Sequence, residues 1–265
     1  MGTRTSYQSG IFSWVELVTT DRDDAKRFYG ELFGWDFQDD ERVRGDVSTM
    51  AHLGGKAVAG ITVPSASQNA REIPTSWLSY VTVPSVDGSA MRAGELGGTV
   101  LAGPFDVGGA ARVAVVADPT GAAIGLWEAR NSIGAERVNG AGCLTSNELA
   151  TDDVDAASTF YHELFGWAIE EVDTGGGPRY WLIHCEGALE GRNGGMRELS
   201  PAADGIPPNW VPYFTTESVG KALARTDELG GTTLLPATQI PAGTMAAVRD
   251  PQGAVFSIFE GDVDD

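Results

Sequence analysis

The sequence predicts an α+β fold built from four βαβββ modules in two tandem halves. Three observations support this prediction. The chain repeats itself at an offset of 132 residues, each half carries two helix patterns that end at glycine, and strand-forming segments surround every helix. A length of 265 residues is enough for two such halves, each with its own core.

The internal repeat sets the proposed domain boundaries. Phe28-Tyr29-Gly30-Glu31-Leu32-Phe33-Gly34-Trp35 returns as Phe160-Tyr161-His162-Glu163-Leu164-Phe165-Gly166-Trp167, and Asp118-Pro119 returns as Asp250-Pro251 with a glycine two residues later. We therefore expect one domain at residues 1–130, a connector at 131–140 and a second domain at 141–265. Polar, proline-bounded segments at 64–74 and 199–208 divide each half again, which gives modules at about 11–63, 75–129, 143–197 and 208–261.

The elements of each module follow from local signals. In the first module, residues 13–18 are strand-forming, Asp21 or Asp23 can cap a helix, and Gly34 ends that helix. Strands are expected at 47–53 and 57–63 around the Gly54-Gly55 turn. The second module repeats the plan with a strand at 77–83, a helix at 88–96, and strands at 111–117 and 122–128.

Composition excludes several classes of protein. Hydrophobic residues make up 42% and charged residues 21%, as in an ordinary globular chain, and no apolar run approaches the roughly 18 residues of a membrane span. A net charge of −19 disfavours nucleic acid and anionic lipid surfaces as partners. Two cysteines and no recognisable leader favour a cytoplasmic location, and only three of the 18 basic residues are lysines, a bias typical of GC-rich bacteria.

The repeated phrase from Asp21 to Trp35 and from Asp153 to Trp167, with the Leu-Gly-Gly helix stop and the Asp-Pro-x-Gly turn, resembles the vicinal oxygen chelate superfamily. That superfamily includes glyoxalase I, bleomycin-resistance proteins and extradiol dioxygenases. The resemblance implies glyoxalase-like domains whose curved mixed sheets surround clefts. It also implies a small-molecule partner and a monomer or homodimer.

Metal-dependent members of the superfamily place His, Gln or Glu ligands on the first and last strands of their modules. Aligned on the repeat, those positions carry residues that do not form the chelating set: Trp14, Leu78, Gly125, Ser146, Val211 and Ser257. We therefore expect no metal and no other cofactor. The alternative is a rearranged carboxylate site drawn from Glu16, Glu128, Glu148 and Glu260, which would support glyoxalase-like or dioxygenase-like chemistry.

Two glutamates and two histidines are the candidate catalytic residues. Glu16 and Glu148 share a strand face with Trp14 and Ser146, so each half would offer a carboxylate to its cleft for acid–base chemistry. His52 and His184 also match at the offset of 132 and could move a proton near neutral pH. A structural hydrogen bond is the competing interpretation for all four residues.

Aromatic residues on strands are the candidate ligand-binding group, because aromatic rings can stack on a flat ligand. With Ser146, the group is Trp14, Trp77, Tyr80, Trp127, Trp181, Trp210 and Tyr213. Alternation places Trp77 and Tyr80 on opposite faces, so some of these rings must belong to the core. Trp35 and Trp167 follow a helix stop and are expected to be packing residues.

Together these features predict a metal-independent protein that binds an aromatic or carbonyl-bearing metabolite and could transform it. The resemblance makes bacterial natural-product tailoring or antibiotic self-resistance the expected setting. The alternatives are a metal-dependent enzyme of the glyoxalase or dioxygenase type and a protein that only sequesters its ligand.

Overall fold

A computed structural model describes residues 2–43, 46–64, 74–188, 191–199 and 205–263. Most of the two polar segments that were predicted to divide the halves lies outside these residues. The described part contains four helices and eighteen strands. Their order confirms an α+β chain of four βαβββ modules.

The N-terminal half holds the first two modules after a short strand, β1 (Gly2–Thr3). The elements of the first module are β2 (Phe12–Val18), α1 (Arg22–Phe33), β3 (Asp36–Val43), β4 (Asp46–Leu53) and β5 (Lys56–Thr62). Those of the second are β6 (Ser76–Thr82), α2 (Val86–Glu95), β7 (Thr99–Val107), β8 (Ala111–Ala117) and β9 (Ala123–Ala129).

The C-terminal half repeats this order after β10 (Arg137–Val138), which pairs with β1. The third module consists of β11 (Leu144–Thr151), α3 (Val154–Phe165), β12 (Ala168–Val172), β13 (Tyr180–His184) and β14 (Arg192–Glu198). The fourth consists of β15 (Asn209–Thr215), α4 (Val219–Glu228), β16 (Thr232–Ile240), β17 (Gly243–Arg249) and β18 (Val255–Gly261).

The helix ends show why these segments are helical. The Asp21 side chain accepts a hydrogen bond from the Asp24 backbone N–H, and Gly34 ends α1 in the left-handed conformation with φ of 73°. Of the two predicted caps, Asp21 is therefore the one used. Helix α2 begins two residues earlier than predicted because Ser85 caps it.

Each half forms one eight-stranded mixed sheet. The orders are β3-β4-β5-β2-β6-β9-β8-β7 and β12-β13-β14-β11-β15-β18-β17-β16. The first strands of the two modules, β2 with β6 and β11 with β15, pair antiparallel at the centre of each sheet. Neighbouring modules thus share a sheet, and their helices cover one of its faces.

The helix-covered faces of the two sheets share their hydrophobic cores. One core joins the first and fourth modules and contains Phe28, Tyr29, Phe214 and Phe256. The other joins the second and third modules. Both cores therefore draw on both halves of the chain.

The repeated motif supplies several buried polar contacts between the halves. The indole N–H of Trp35 donates to the backbone oxygen of Gly142 at 2.7 Å, and that of Trp167 donates to Gly10 at the same distance. The hydroxyl of Tyr29 donates to Asp250, in the Asp-Pro turn of the opposite half. The residues most visible as a repeat therefore hold the halves together.

Candidate functional site

The opposite face of each sheet carries one of the two candidate glutamates, and none of the four helices in the described residues lies on it. Residues paired between neighbouring strands share a face. We call the side that bears Trp14, Glu16, Tyr80 and Gly125 the N-terminal face, and the side that bears Ser146, Glu148, Tyr213 and Ser257 the C-terminal face. The two faces match position by position, but their chemistry differs.

On the N-terminal face, hydroxyl groups hold the glutamate. Glu16 accepts a hydrogen bond from Thr62 Oγ1 at 2.6 Å and another from the Tyr80 hydroxyl at 2.9 Å. Burial raises the pKa of Glu16, and these two hydrogen bonds only partly offset that effect. The carboxyl group is therefore easier to protonate than a solvated one.

The remainder of the N-terminal face is packed with rings. Trp14 and Trp127 are 3% and 5% exposed, and their ring centroids lie 5.9 Å apart. The Trp14 indole lies over Gly60, where a Cβ atom would come within 3.1 Å of Trp14 Cζ2. These rings form a small core of their own with Tyr80 and Val113.

The connector covers this core. Ala135 and Val138 belong to the same cluster, and the Ala135 N–H donates to the backbone oxygen of Ser13 at 2.7 Å. The Tyr7 hydroxyl donates to the Ala135 oxygen at 2.6 Å. The N-terminal face is thus filled by the chain itself.

On the C-terminal face, an ion pair replaces the hydroxyl contact. Arg197 Nε donates to Glu148 Oε1 at 2.8 Å, with side-chain exposures of 41% for Arg197 and 12% for Glu148. Burial raises the pKa of both Tyr180 and Tyr213, and the nearby negative charge of Glu148 raises both further. Both tyrosines therefore keep their hydroxyl protons at neutral pH.

Equivalent positions of the two faces differ in the size and charge of their side chains. Ser146 stands where the N-terminal half has Trp14, and Ser257 where it has Gly125. Arg197 pairs with Ala150 in the sheet as Thr62 pairs with Val18, so Arg197 and Thr62 are equivalent partners of their glutamates. At these positions the C-terminal face has lost an indole and gained a cation, and Tyr180 lies over Gly195 as the Trp14 indole lies over Gly60.

Three of the predicted ligand-binding rings lie on the helix-covered side. Trp77, Trp181 and Trp210 are in the two shared cores, and the indole N–H groups of Trp77 and Trp210 donate to Tyr29 and Tyr161. Strand alternation turns each of them away from the glutamates. These three are corrected to core residues, whereas Trp14, Tyr80, Trp127, Ser146 and Tyr213 lie on the helix-free faces.

The two histidines lie near the ends of outer strands. His52 pairs with Asp36 of β3 and with Ala57 of β5. Ala57 is three residues before Gly60, the residue of β5 that pairs with Glu16. His184 Nε2 lies 3.7 Å from Glu170 Oε2. Neither histidine contacts Glu16 or Glu148 among the contacts described.

Arg197 and Tyr180 were missed by the sequence reasoning. The offset of 132 that aligns Glu16 with Glu148 grows to 135 at β14, where Gly195 matches Gly60, so Thr62 and Arg197 do not align by simple counting. The repeat would align Thr62 with Arg197 only if the three-residue insertion before β14 were recognised.

In the described part of the chain, no helix combines the length and apolar character needed to cross a bilayer.

Comparison with known proteins agrees with the architecture. The family described as the glyoxalase/bleomycin resistance protein/dioxygenase superfamily matches residues 11–126 and 144–258. The chain therefore belongs to this superfamily, the vicinal oxygen chelate proteins, and carries two copies of its domain.

Two relatives are similar over almost their entire length. "Putative glyoxylase CFP32" of Mycobacterium tuberculosis is 37% identical over 262 residues, covering 98% of both chains. "Anthracycline biosynthesis protein DauV" of Streptomyces sp. strain C5 is 30% identical over 269 residues, covering 97% of this chain and 95% of DauV. The second relative is thus named for anthracycline biosynthesis.

Solved structures share the fold at low identity. The Mn(II)-bound glyoxalase of Novosphingobium aromaticivorans matches with a TM-score of 0.67 and 15% identity, covering 97% of this chain and 84% of that one. The 2,3-dioxygenase LapB of Pseudomonas sp. KL28 matches with a TM-score of 0.66 and 12% identity, covering 98% and 96%.

The donor groups on the helix-free faces do not fit a divalent metal ion. Each face offers one glutamate at its centre, and Glu148 is already paired with Arg197. Across the described ranges, no three His, Cys, Asp or Glu side chains are grouped to hold a metal. Glu128 and Glu260, the other members of the rearranged site, instead accept from the backbone N–H groups of Val86 and Val219.

Proposed function

We propose that the C-terminal face binds a small aromatic or carbonyl-bearing metabolite without a metal ion. The single observation that carries this proposal is the replacement of Trp14 by Ser146 beside a retained glutamate. In one half the Trp14 indole fills the centre of the sheet over Gly60. In the other half the small Ser146 takes the position of Trp14 and Tyr180 lies over Gly195, the match of Gly60, so the proposed site lies at Ser146, beside Tyr180. The N-terminal half would then serve as scaffold.

The surroundings of Glu148 suit a flat ligand with polar edges. Val211 pairs with Glu148 across the sheet, and the partly exposed Leu235 pairs with Ala247, next to Ser257. Apolar side chains of this kind can bury rings, while the partly exposed Ser146 supplies a hydroxyl group that fixes orientation. The relative named for anthracycline biosynthesis supports an aromatic, carbonyl-bearing ligand.

The direct test is binding of 1,4-dihydroxyanthraquinone, a planar aromatic ketone, followed by tryptophan fluorescence and calorimetry on metal-free protein. We expect one site per chain. Ser146→Trp, which restores the residue of the N-terminal half, should weaken binding at least about tenfold by occupying the site. Met91→Trp adds the same indole at an exposed position of α2 and should leave binding unchanged.

The proposal fails if Ser146→Trp binds as tightly as the parent protein. It also fails if the metal-free protein binds only after Mn(II), Ni(II), Zn(II) or Fe(II) is restored, in which case the metal-dependent alternative would be correct.

An acid–base enzyme is the second candidate, favoured by the Glu148 carboxylate, which is 12% exposed and raises the pKa of the nearby Tyr180 and Tyr213. A positioned carboxylate can accept a proton from a carbon next to a carbonyl group. If the protein turns over a bound ketone, Glu148→Gln should lower the rate by at least about a hundredfold while the ligand still binds. Binding with no turnover would identify a sequestering protein.

A further inference from the structure

We propose that Arg197 determines ligand specificity and that the ligand carries an ionised oxygen, such as a carboxylate or an acidic phenolate or enolate. This inference rests on the proposed function, because it concerns the same C-terminal face. It adds the charge of the ligand and the residue that recognises it.

The first argument comes from counting acceptors. Glu148 is the only carboxylate at the centre of the C-terminal face among the described residues, and Arg197 Nε already donates to it at 2.8 Å. Tyr180 and Tyr213 lie close enough for the charge of this carboxylate to raise their pKa values. The carboxylate thus already has a cationic partner, which makes it a poor acceptor for a cationic ligand.

The second argument comes from counting donors. A guanidinium group has five N–H bonds. Nε of Arg197 is used by Glu148, and Nη1 makes only a long contact of 3.5 Å with the backbone oxygen of Glu198. Within the described ranges Nη2 has no partner. The C-terminal face thus has unused hydrogen-bond donors, so the ligand group that complements it is a hydrogen-bond acceptor.

The solvent exposure of Arg197 and Glu148 also supports an anionic ligand. The Arg197 side chain is 41% exposed, whereas its partner Glu148 is 12% exposed, so the guanidinium lies on the more accessible side of the pair. A ligand arriving from solvent would reach the cation before the carboxylate. Charge-assisted bonds from guanidinium to an oxyanion are among the strongest that a side chain forms.

The equivalent position in the other half gives an internal comparison. Thr62 takes the place of Arg197 and satisfies Glu16 with a neutral hydroxyl on a face filled by rings. A hydroxyl is therefore sufficient to hold the glutamate in this fold. The cation appears only on the face where Trp14 is replaced by serine, which favours a role in ligand recognition over a role in folding.

The overall charge of the chain makes a local cation more important. With a net charge of −19, the protein repels anions at long range. At physiological ionic strength the effect of charges more than about 8 Å away is screened. The charges close to the ligand, above all the Arg197 guanidinium, therefore determine whether an anion binds.

The test compares two probes with the same rings, anthraquinone-2-carboxylate and anthraquinone-2-carboxamide. We expect the parent protein to bind the carboxylate at least about tenfold more tightly, and to lose that preference as salt increases. Arg197→Met should abolish the preference and leave the amide bound, whereas Arg197→Lys should retain part of it. Arg179→Met is the control, because Arg179 pairs with Glu171 and Glu198 at an exposed site.

A second variant guards against misfolding. Arg197→Met leaves Glu148 without its cation, so the double variant Glu148→Gln, Arg197→Met restores a neutral pair and should fold with an unfolding midpoint near that of the parent. If this double variant is folded and still prefers the carboxylate, Arg197 is not the specificity residue. If both probes bind the parent protein equally, the anionic ligand class is wrong while the proposed binding function stands. If neither probe binds, the proposed function itself fails.

Discussion

The hydroxyl of Tyr29 in the first module donates a hydrogen bond of 2.9 Å to Asp250 in the fourth module. The indole N–H of Trp77 in turn donates to the Tyr29 hydroxyl at 3.0 Å. On the other side, Trp210 donates to Tyr161, whose pKa is raised by its burial and by the nearby charge of Asp118. The tyrosine of the Phe-Tyr motif and the aspartate of the Asp-Pro turn are thus partners across the halves.

Replacing Tyr29 by Phe should destabilise the whole chain. The change removes a buried hydrogen bond to a carboxylate and leaves the Trp77 N–H without its acceptor, a loss of about 2 kcal/mol. Urea unfolding measured by circular dichroism would give the free energy of unfolding. Tyr80→Phe is the comparison, because the Tyr80 hydroxyl donates to Glu16 within the same sheet. This substitution should not weaken the contact between the halves.

Glycine at position 125 should be required by the packing of Tyr80. A Cβ atom there would collide with the buried Tyr80 ring, so Gly125→Ala should cost about 2 kcal/mol or more. Gly94→Ala is the matched control, because Gly94 is in helix α2 with open space around it. That substitution should be neutral or stabilise the protein by up to about 1 kcal/mol. Equal effects at the two positions would contradict the packing described here.

The two matched positions at the sheet centres should respond differently to truncation. Trp14→Ala leaves a cavity in a ring cluster covered by the connector and should cost about 3 kcal/mol or more. Ser146→Ala removes only a hydroxyl from a partly exposed position and should change the free energy of unfolding by less than about 1 kcal/mol. Similar losses in both variants would mean that both faces are packed alike.

The raised pKa of Glu16 gives a pH dependence with a definite sign. A carboxyl whose folded pKa exceeds its unfolded value of about 4.5 contributes stability that is complete below that value and is lost as pH rises through the folded pKa. Glu16→Gln should therefore become more stable relative to the parent protein as pH increases from 4.5 toward 8. Urea titrations across this range would show it, with Glu186→Gln, at an exposed position, as the control for net charge. A difference that does not vary with pH would refute the burial of this carboxyl.

Most of the fold could be predicted from the sequence because its signals are local and occur twice. Asp21 and Gly34 mark the ends of α1, and the repeat extends the same assignment to α3. The strand β3, which follows α1 at the edge of its sheet, was not assigned. Its sequence Asp-Phe-Gln-Asp-Asp-Glu-Arg-Val is too polar to show the alternation of a strand with one buried face.

The candidate site was only partly predictable, since it depends on which face each residue takes. Glu16 and Glu148 were found because they fall two residues from positions aligned by the repeat. Trp77 and Trp210 were included among the ligand-binding candidates although alternation sends them to the cores. The contribution of Arg197 depends on a β14 register that no local pattern fixes.

The shared cores have a consequence for how the molecule comes apart. Neither sheet can separate from its helices without exposing Phe28, Phe256 and their neighbours from the opposite half. We therefore expect thermal denaturation to follow a single cooperative transition despite the duplicated architecture, with equal calorimetric and van't Hoff enthalpies. The two halves therefore unfold as one thermodynamic unit. The residues on the helix-free face of either half can change without loss of the cores that the halves share.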